Sequence, residues 1–309
     1  MNICMHTAVC STALLIAASG ANAQTASIAV TNAGPAGGLG SAGNSTQTGS
    51  FTETFTARSL SWSGTLTSAP NAFFFEEDVF ASIQGPNGIG YTGPIAGEQG
   101  IVLGATPFSG WTSAFAPASI EGDWSFEAFT PNTFPGSTNW SISSAEFGFN
   151  QALFPDATSI GIGTARVDNI VEGEILWYSV DHAGGAIEFS TAGSSIFELD
   201  GGIQTDDTLI ALFDSSGLLV DFNDDGSDDF TSLLSFADLA AGDYRLAVTG
   251  STLGTRVGQQ FISTSHDGVG SINLAVTVPA PITALPIAAA SVLGSRRRRH
   301  ATSSPIHSS

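Results

Sequence analysis

Lysine is absent from these 309 residues, and four of the eight arginines stand together at Arg296–Arg299. Charged residues make up only 12% of the chain, against a typical share of about 25%. Between Gln24 and Ser295 four arginines face 28 acidic residues, a charge of −24. Such a surface repels phosphate backbones, which excludes nucleic acid as a partner and favours cations. Both cysteines, Cys4 and Cys10, lie near the start, as do both methionines. A chain beginning at Gln24 would have no thiol, no disulfide framework and no soft metal ligand, which removes cysteine catalysis and cysteine-based zinc sites. Sustained helical periodicity is also missing from Gln24 to Thr277. The apolar share of 42% still argues for a packed core and against wholesale disorder.

The ends read as addresses. Residues 1–23 have the layout of a secretory signal peptide: an apolar run from Ala8 to Ala18, then Ala21-Asn22-Ala23 with small residues at the positions a signal peptidase accepts. The run is too short to remain in a bilayer, and the residues before it carry no lysine or arginine. At the other end, residues 279–309 combine a proline break (Val278-Pro279-Ala280-Pro281), an apolar stretch from Ile282 to Leu293 and the cluster Arg296–Arg299. That order is a stop-transfer layout with positive charge held at the cytoplasmic face. These residues resemble the PEP-CTERM sorting signal of exported bacterial proteins. The resemblance implies transient membrane anchoring, an exosortase as processing partner, and delivery to the cell surface or extracellular matrix. Pro286 inside the apolar stretch and the ten residues from His300 to Ser309 depart from the family's pattern.

What lies between reads as β-structure. Short alternating or β-branched and aromatic runs recur between glycine, proline, asparagine and aspartate clusters. They include Phe51–Ala57, Leu60–Thr67, Asp78–Gln84, Trp124–Phe129 and Trp140–Phe149, then Ile175–Val180, Ala186–Ser190, Leu209–Phe213, Leu218–Phe222, Tyr244–Thr249 and Ser271–Val278. Residues 24–50 are expected to be a flexible lead-in, because Ala33–Ser50 has few bulky side chains. The expected fold class is all-β, with two jelly-roll-like β-sandwich domains in tandem over residues 51–160 and 161–278.

The second half carries an ordered motif series. It runs through Gly173-Glu174, Trp177-Tyr178-Ser179-Val180, Asp207–Gly217, Asn223-Asp224-Asp225-Gly226 and Leu239–Val248. This series resembles the bacterial pre-peptidase C-terminal (PPC) domain, a small β-sandwich appended to secreted proteins. Leu209, Ala211 and Phe213 share one strand face, and Tyr244, Leu246 and Val248 another. In the first half, Gly85-Pro86-Asn87-Gly88, Gly122–Phe129 and Trp140 resemble, in short motifs, the jelly-roll P domain of secreted convertase-type proteins.

Chemistry is sparse. The densest polar feature is Asp221–Asp229. Asp221, Asn223, Asp225 and Asp229 stand at positions 1, 3, 5 and 9 of a calcium-loop spacing, with Gly226 at the sharp turn. Position 12 is Ser232, so the bidentate glutamate of an EF-hand is missing, and a Ca²⁺ site in a sandwich loop, helped by Asp206 or Asp207, stands beside a plain solvated turn. His182 and His266 each adjoin an aspartate in sequence (Asp181, Asp267), while no nucleophile elbow and no His-Glu-x-x-His is present. Carboxylate pairs around Glu76-Glu77-Asp78, or Glu172 and Glu174, are the candidates for a glycosidase dyad. Trp62, Trp111, Trp124, Trp140 and Trp177 either stack on sugars or fill the core. The expectation is a non-catalytic, exported surface or matrix protein, structural or adhesive and calcium-stabilised, with extracellular polysaccharide or matrix components as partners. The alternatives are a carbohydrate-binding module and a secreted glycoside hydrolase or lyase.

Overall fold

Alternating apolar side chains build four stacked β-sheets, beside two further two-stranded ones, in a computed structural model of the chain. It describes residues 24–279, apart from 70–73, 76–77, 89, 98–100, 103, 115–116, 132–137, 199–202, 205, 226–229, 251–254 and 267. Residues 1–23 and 280–309, on which the expected signal peptide and sorting signal fall, lie outside the described residues, which contain no α-helix.

The first sandwich opposes a six-stranded and a four-stranded sheet. The larger has the order Thr25–Ala33, Trp140–Asn150, Ser59–Ser68, Ala105–Thr112, Phe261–Thr264, Thr255–Gly258. The smaller runs Thr46–Phe51, Gly122–Phe129, Phe80–Gln84, Gly90–Pro94. Between them lies a core that includes Ile28, Val30, Leu60, Trp62, Phe108, Trp124, Phe126, Phe147 and Phe149. Every pairing within these two sheets is antiparallel.

The segment expected as a flexible lead-in is therefore structured in large part. Ile28 and Val30 alternate with exposed or half-buried neighbours, and the strand Thr25–Ala33 pairs with Trp140–Asn150. Two buried β-branched residues outweigh the small-residue composition that follows them. The stretch from Gly34 to Ser45 does form a loop, but Asn44 pins it. Its Oδ1 accepts the amides of Ala36 and Gly37, and its Nδ2 donates to Gly38 O and Glu127 Oε1. The expected run Phe51–Ala57 is likewise broken, with strands ending at Phe51 and resuming at Thr56–Ala57.

The second sandwich has one five-stranded sheet ordered Thr158–Ser159, Leu176–His182, Gly242–Gly250, Thr208–Phe213, Leu219–Asn223. Facing it is a sheet ordered Ile203–Gln204, Ser195–Glu198, Gly268–Thr277, Gly185–Ser190, Leu233–Leu239, with Thr164–Ile170 also paired to Gly268–Thr277. Tyr178, Ile210, Leu212, Tyr244, Leu246, Val248, Ile272 and Leu274 belong to their shared core.

All six residues of Thr208–Phe213 are buried, because this strand packs on both faces. Ile210 and Leu212 point into the second sandwich, whereas Leu209, Ala211 and Phe213 join a third cluster with Trp111, Ala247 and Ile262. Trp111 stacks on Phe154 with ring centroids 4.9 Å apart, and meets Phe213 and Trp177 edge-on at 5.3 and 5.4 Å. The hairpin Thr255–Gly258 and Phe261–Thr264 falls within the expected second domain, yet it extends the first sandwich's sheet by pairing with Ala105–Thr112. Strand membership thus crosses the boundary drawn near residue 160. Polar bonds reinforce the seam: Ser109 Oγ donates to Gly173 O and Leu219 N to Gln259 O, while Ser263 Oγ, donating to Ala96 O, fastens the returning hairpin to the first sandwich.

Candidate functional site

Asp221 and Asn223 sit on the edge strand Leu219–Asn223, two residues apart and so on one face. Asp221 Oδ1 accepts the amide of Phe222 at 2.9 Å, and Asn223 Oδ1 accepts that of Leu233 at 2.9 Å. Asp225 is exposed beyond the strand end, while Gly226 and Asp229 lie outside the described residues. Among the described residues, no three histidine or acidic side chains gather within metal-binding reach. Asp206, the suggested helper, has a left-handed backbone (φ 53°) and accepts the amide of Ile196. The structure thus places two of the four predicted calcium ligands side by side, with the Asn223 oxygen already engaged in closing the loop.

The histidines are interior. Asp181 is exposed and His182 buried, because neighbours in a strand point to opposite faces, so sequence adjacency makes no Asp–His pair. The His182 Nε2 meets Gly185 O at 3.2 Å, and the His266 Nε2 meets Glu174 O at 3.1 Å. Asp78 is fully buried, whereas Glu76 and Glu77 lie outside the described residues. Glu174 Oε2 accepts the amide of Val171, which commits it to a local turn. Four of the five tryptophans are buried in cores, and Trp177 is half-buried against the third cluster. Trp62, Trp111 and Trp124 are buried, and their indole N–H groups donate to the carbonyls of Ile95, Leu153 and Ile120.

One carboxylate is held by a specific clasp. Arg166 Nε and Nη2 donate to the two oxygens of Asp168 at 2.5 and 2.8 Å, and the Tyr178 hydroxyl donates to Asp168 Oδ2 at 2.9 Å. The Arg166 hydrogen bonds hold the Asp168 carboxyl below its usual range, aided by Tyr178 and against desolvation. Burial, with the Asp168 hydrogen bond, pushes the Tyr178 hydroxyl up. Asp168 comes from one sheet of the second sandwich and Tyr178 from the other, so the clasp ties its two layers together.

Sequence reasoning missed a groove of about 410 Å³ at the seam between the sandwiches. Arg58, Ser113, Pro117 and Leu153 line it from the first sandwich and the chain leaving it, and Ser216 and Gln260 from two turns that come later. Ser216 lies in the hairpin turn Asp214–Gly217, where Asp214 Oδ1 accepts the amides of Ser216 and Leu218 and the Ser216 hydroxyl. Desolvation raises the Asp214 pKa, but these hydrogen bonds together outweigh it and hold the carboxyl below its ordinary value. Gly217 has φ +88°, and its carbonyl accepts the Ser113 hydroxyl, so the turn is seated against the first sandwich. The available signal was the scarcity of arginine, since only four precede the basic cluster.

No protein-family model and no curated protein matches the chain. Similar solved structures include the pre-peptidase C-terminal domain of a collagenase from Bacillus anthracis. It is 16% identical over 39% of this chain and 94% of that one, with TM-score 0.27. PNGase F, a glycosylasparaginase from Flavobacterium meningosepticum, is 12% identical over 83% of this chain and 98% of its own, with TM-score 0.27. An N-terminal CBM22 tandem domain from Paenibacillus barcinonensis is 10% identical over 84% and 92%, with TM-score 0.25. At TM-scores below 0.5 these likenesses establish neither family nor function.

Proposed function

We propose that the protein is a non-catalytic, exported structural or adhesive component of the cell surface or extracellular matrix. The observation that carries this reading is the seam: an aromatic cluster around Trp111 and a hairpin that returns to the first sheet join the sandwiches into one body. A rigid body of stacked sheets suits a spacer or adhesin. The tryptophans that a sugar-processing platform would need are instead packed inside, with three indole N–H groups bonded to backbone carbonyls.

Export and anchoring rest on the terminal segments, whose layout matches a secretory signal and a PEP-CTERM-type tail. Ca²⁺ is the proposed ion for the Asp221–Asp229 loop. Its support is the oxygen spacing and the shared face of Asp221 and Asn223. In that reading Asp221, Asn223, Asp225 and Asp229 hold the ion, which neutralises a run of mutually repelling carboxylates and stiffens the loop.

The test uses the native host. Cell fractions are probed for the protein, the surface fraction is analysed by intact mass, and the purified protein is incubated with a polysaccharide panel while reducing and unsaturated ends are counted. The expected result is a surface form beginning near Gln24 and ending near Val278, with no new ends generated. Retention of both Met1 and Arg296–Arg299 in the surface fraction would overturn the sorting reading. Catalytic release of new ends would overturn the non-catalytic one.

A further inference from the structure

The Arg58 groove is the one place in the described structure where an unengaged cation lines a cavity. Arg166 is paired with Asp168, Arg245 lies over the Phe154 ring and donates to Tyr244 O, and Arg256 lies over the Phe80 ring. Among the described residues, the Arg58 guanidinium alone of these arginines has no ion pair, hydrogen bond or ring contact. Its backbone, by contrast, is fixed: Arg58 N donates to Asn150 O at 2.8 Å, and the neighbouring Ser59 hydroxyl donates to Ala152 O at 2.9 Å. In a chain of net charge −20, a free guanidinium on a rigid base is a local exception.

The remaining lining sets the kind of ligand. The hydroxyls of Ser113 and Ser216 already donate, to Gly217 O and Asp214 Oδ1, so towards the groove they can only accept. The backbone carbonyl of Gln260 accepts the Ser113 amide and the Thr112 hydroxyl, which fixes that residue while its side-chain amide stays available. Pro117 and Leu153 add apolar wall. The groove holds about 410 Å³ and is open to solvent, so a ligand would lie along it rather than be enclosed. The chain's net charge of −20 opposes any anion at long range, but at physiological salt that field is screened beyond about 8 Å, and the nearby Asp214 charge is covered by its own hydrogen-bond donors, so contacts inside the groove decide binding.

We infer that this groove binds an acidic saccharide. Arg58 would form a two-point bond to its carboxylate or sulfate, the serine oxygens would accept from sugar hydroxyls, and Pro117 and Leu153 would lie against the C–H face of the ring. A guanidinium fork matches such planar or tripodal anions, and the acceptor-only oxygens match the donors that every sugar ring presents. The groove is made of residues from both sandwiches, so ligand is held only when the seam is intact. The inference deepens the adhesive reading by naming what is held, and rests on it only in that the groove binds without cleaving.

The test is isothermal titration calorimetry on the full chain lacking residues 1–23, with three oligosaccharides of equal length: a hexuronate, a sulfated neutral sugar and an unmodified neutral sugar. Arg58→Gln is compared with wild type and with Arg166→Gln, a charge-matched change outside the groove. The expected result is binding of at least one acidic oligosaccharide, weakened about tenfold or more by Arg58→Gln and unchanged by Arg166→Gln. Which acidic arm binds identifies the anion. Arg58 is exposed, so Arg58→Gln retains the wild-type melting temperature, and matched melts verify this. The inference is overturned if no acidic oligosaccharide binds, if the neutral sugar binds equally well, or if both arginine variants weaken binding alike. Loss of binding leaves the non-catalytic reading standing, whereas cleavage of a bound oligosaccharide refutes that reading and leaves the groove.

Discussion

Replacing Trp111 by alanine tests whether the seam makes one folding unit of the two sandwiches. Trp111 is fully buried, touches three aromatic rings at 4.9–5.4 Å and donates its indole N–H to Leu153 O at 2.9 Å. Truncating a buried tryptophan costs about 3–5 kcal/mol. The Leu153 carbonyl also loses its donor, at the low end of about 1–3 kcal/mol because Leu153 is half-buried and water reaches it. The sum is about 4–6 kcal/mol. For a body of this size, about 2–4 °C per kcal/mol places the melting temperature of the variant roughly 8–24 °C lower. Trp111→Phe keeps a ring on Phe154 and loses the donor, so its cost should be about 1–3 kcal/mol. Urea unfolding followed by far-ultraviolet circular dichroism and by tryptophan fluorescence supplies both the energies and the cooperativity. Coincident curves are expected for wild type. A wild type that unfolds in two separated steps, or a Trp111→Ala variant destabilised by less than about 1 kcal/mol, would refute the reasoning.

The remaining expectations concern single contacts. Tyr178→Phe removes a charge-assisted hydrogen bond that joins two sheets and should cost about 1.5–3 kcal/mol in urea unfolding. Because the folded Asp168 pKa is depressed, its stabilising contribution is full above the unfolded value of about 3.9 and is lost as pH falls through the folded value. Asp168→Asn should therefore be less stable than wild type at neutral pH, with the gap narrowing below about pH 4. Gly217→Ala forces a side chain into a left-handed position 2.6 Å from Ser113 Oγ and should cost about 2 kcal/mol or more, read from the urea midpoint. Millimolar CaCl₂ should raise the melting temperature above that in MgCl₂ at matched ionic strength, and Asp221→Asn with Asp225→Asn should abolish the difference. At ten times a Kd of about 10⁻⁴–10⁻³ M the gain is about 1.4 kcal/mol.

Much of the strand content was legible because period-2 burial writes itself into residue order. Leu60–Thr67, Trp124–Phe129, Trp140–Phe149 and Leu209–Phe213 each lie within or coincide with observed strands. The shared faces of Leu209, Ala211 and Phe213, and of Tyr244, Leu246 and Val248, also match the observed clusters. The strand Thr25–Ala33 was hidden because its two bulky inward residues stand next to a glycine-rich stretch. What the first face packs against was not legible. Alternation states that Leu209, Ala211 and Phe213 are buried together, but not that Trp111, nearly a hundred residues earlier, covers them. The Arg58 groove was hidden for the same reason, since its lining spans residues from 58 to 260. Each contributor is an ordinary surface residue until the turns converge.

The returning hairpin also fixes an order of events as the chain emerges from an export channel or ribosome. The strand Ala105–Thr112 is paired on one side by Ser59–Ser68, but its other edge waits for Phe261–Thr264. Until about 150 further residues have followed, the first sheet exposes a row of unpaired amides and carbonyls and the Trp111 face has no cover. An open edge of that kind invites pairing with other chains, and late, long-range closure slows folding. The first half therefore cannot lock into a finished body until the last strands of the chain have arrived.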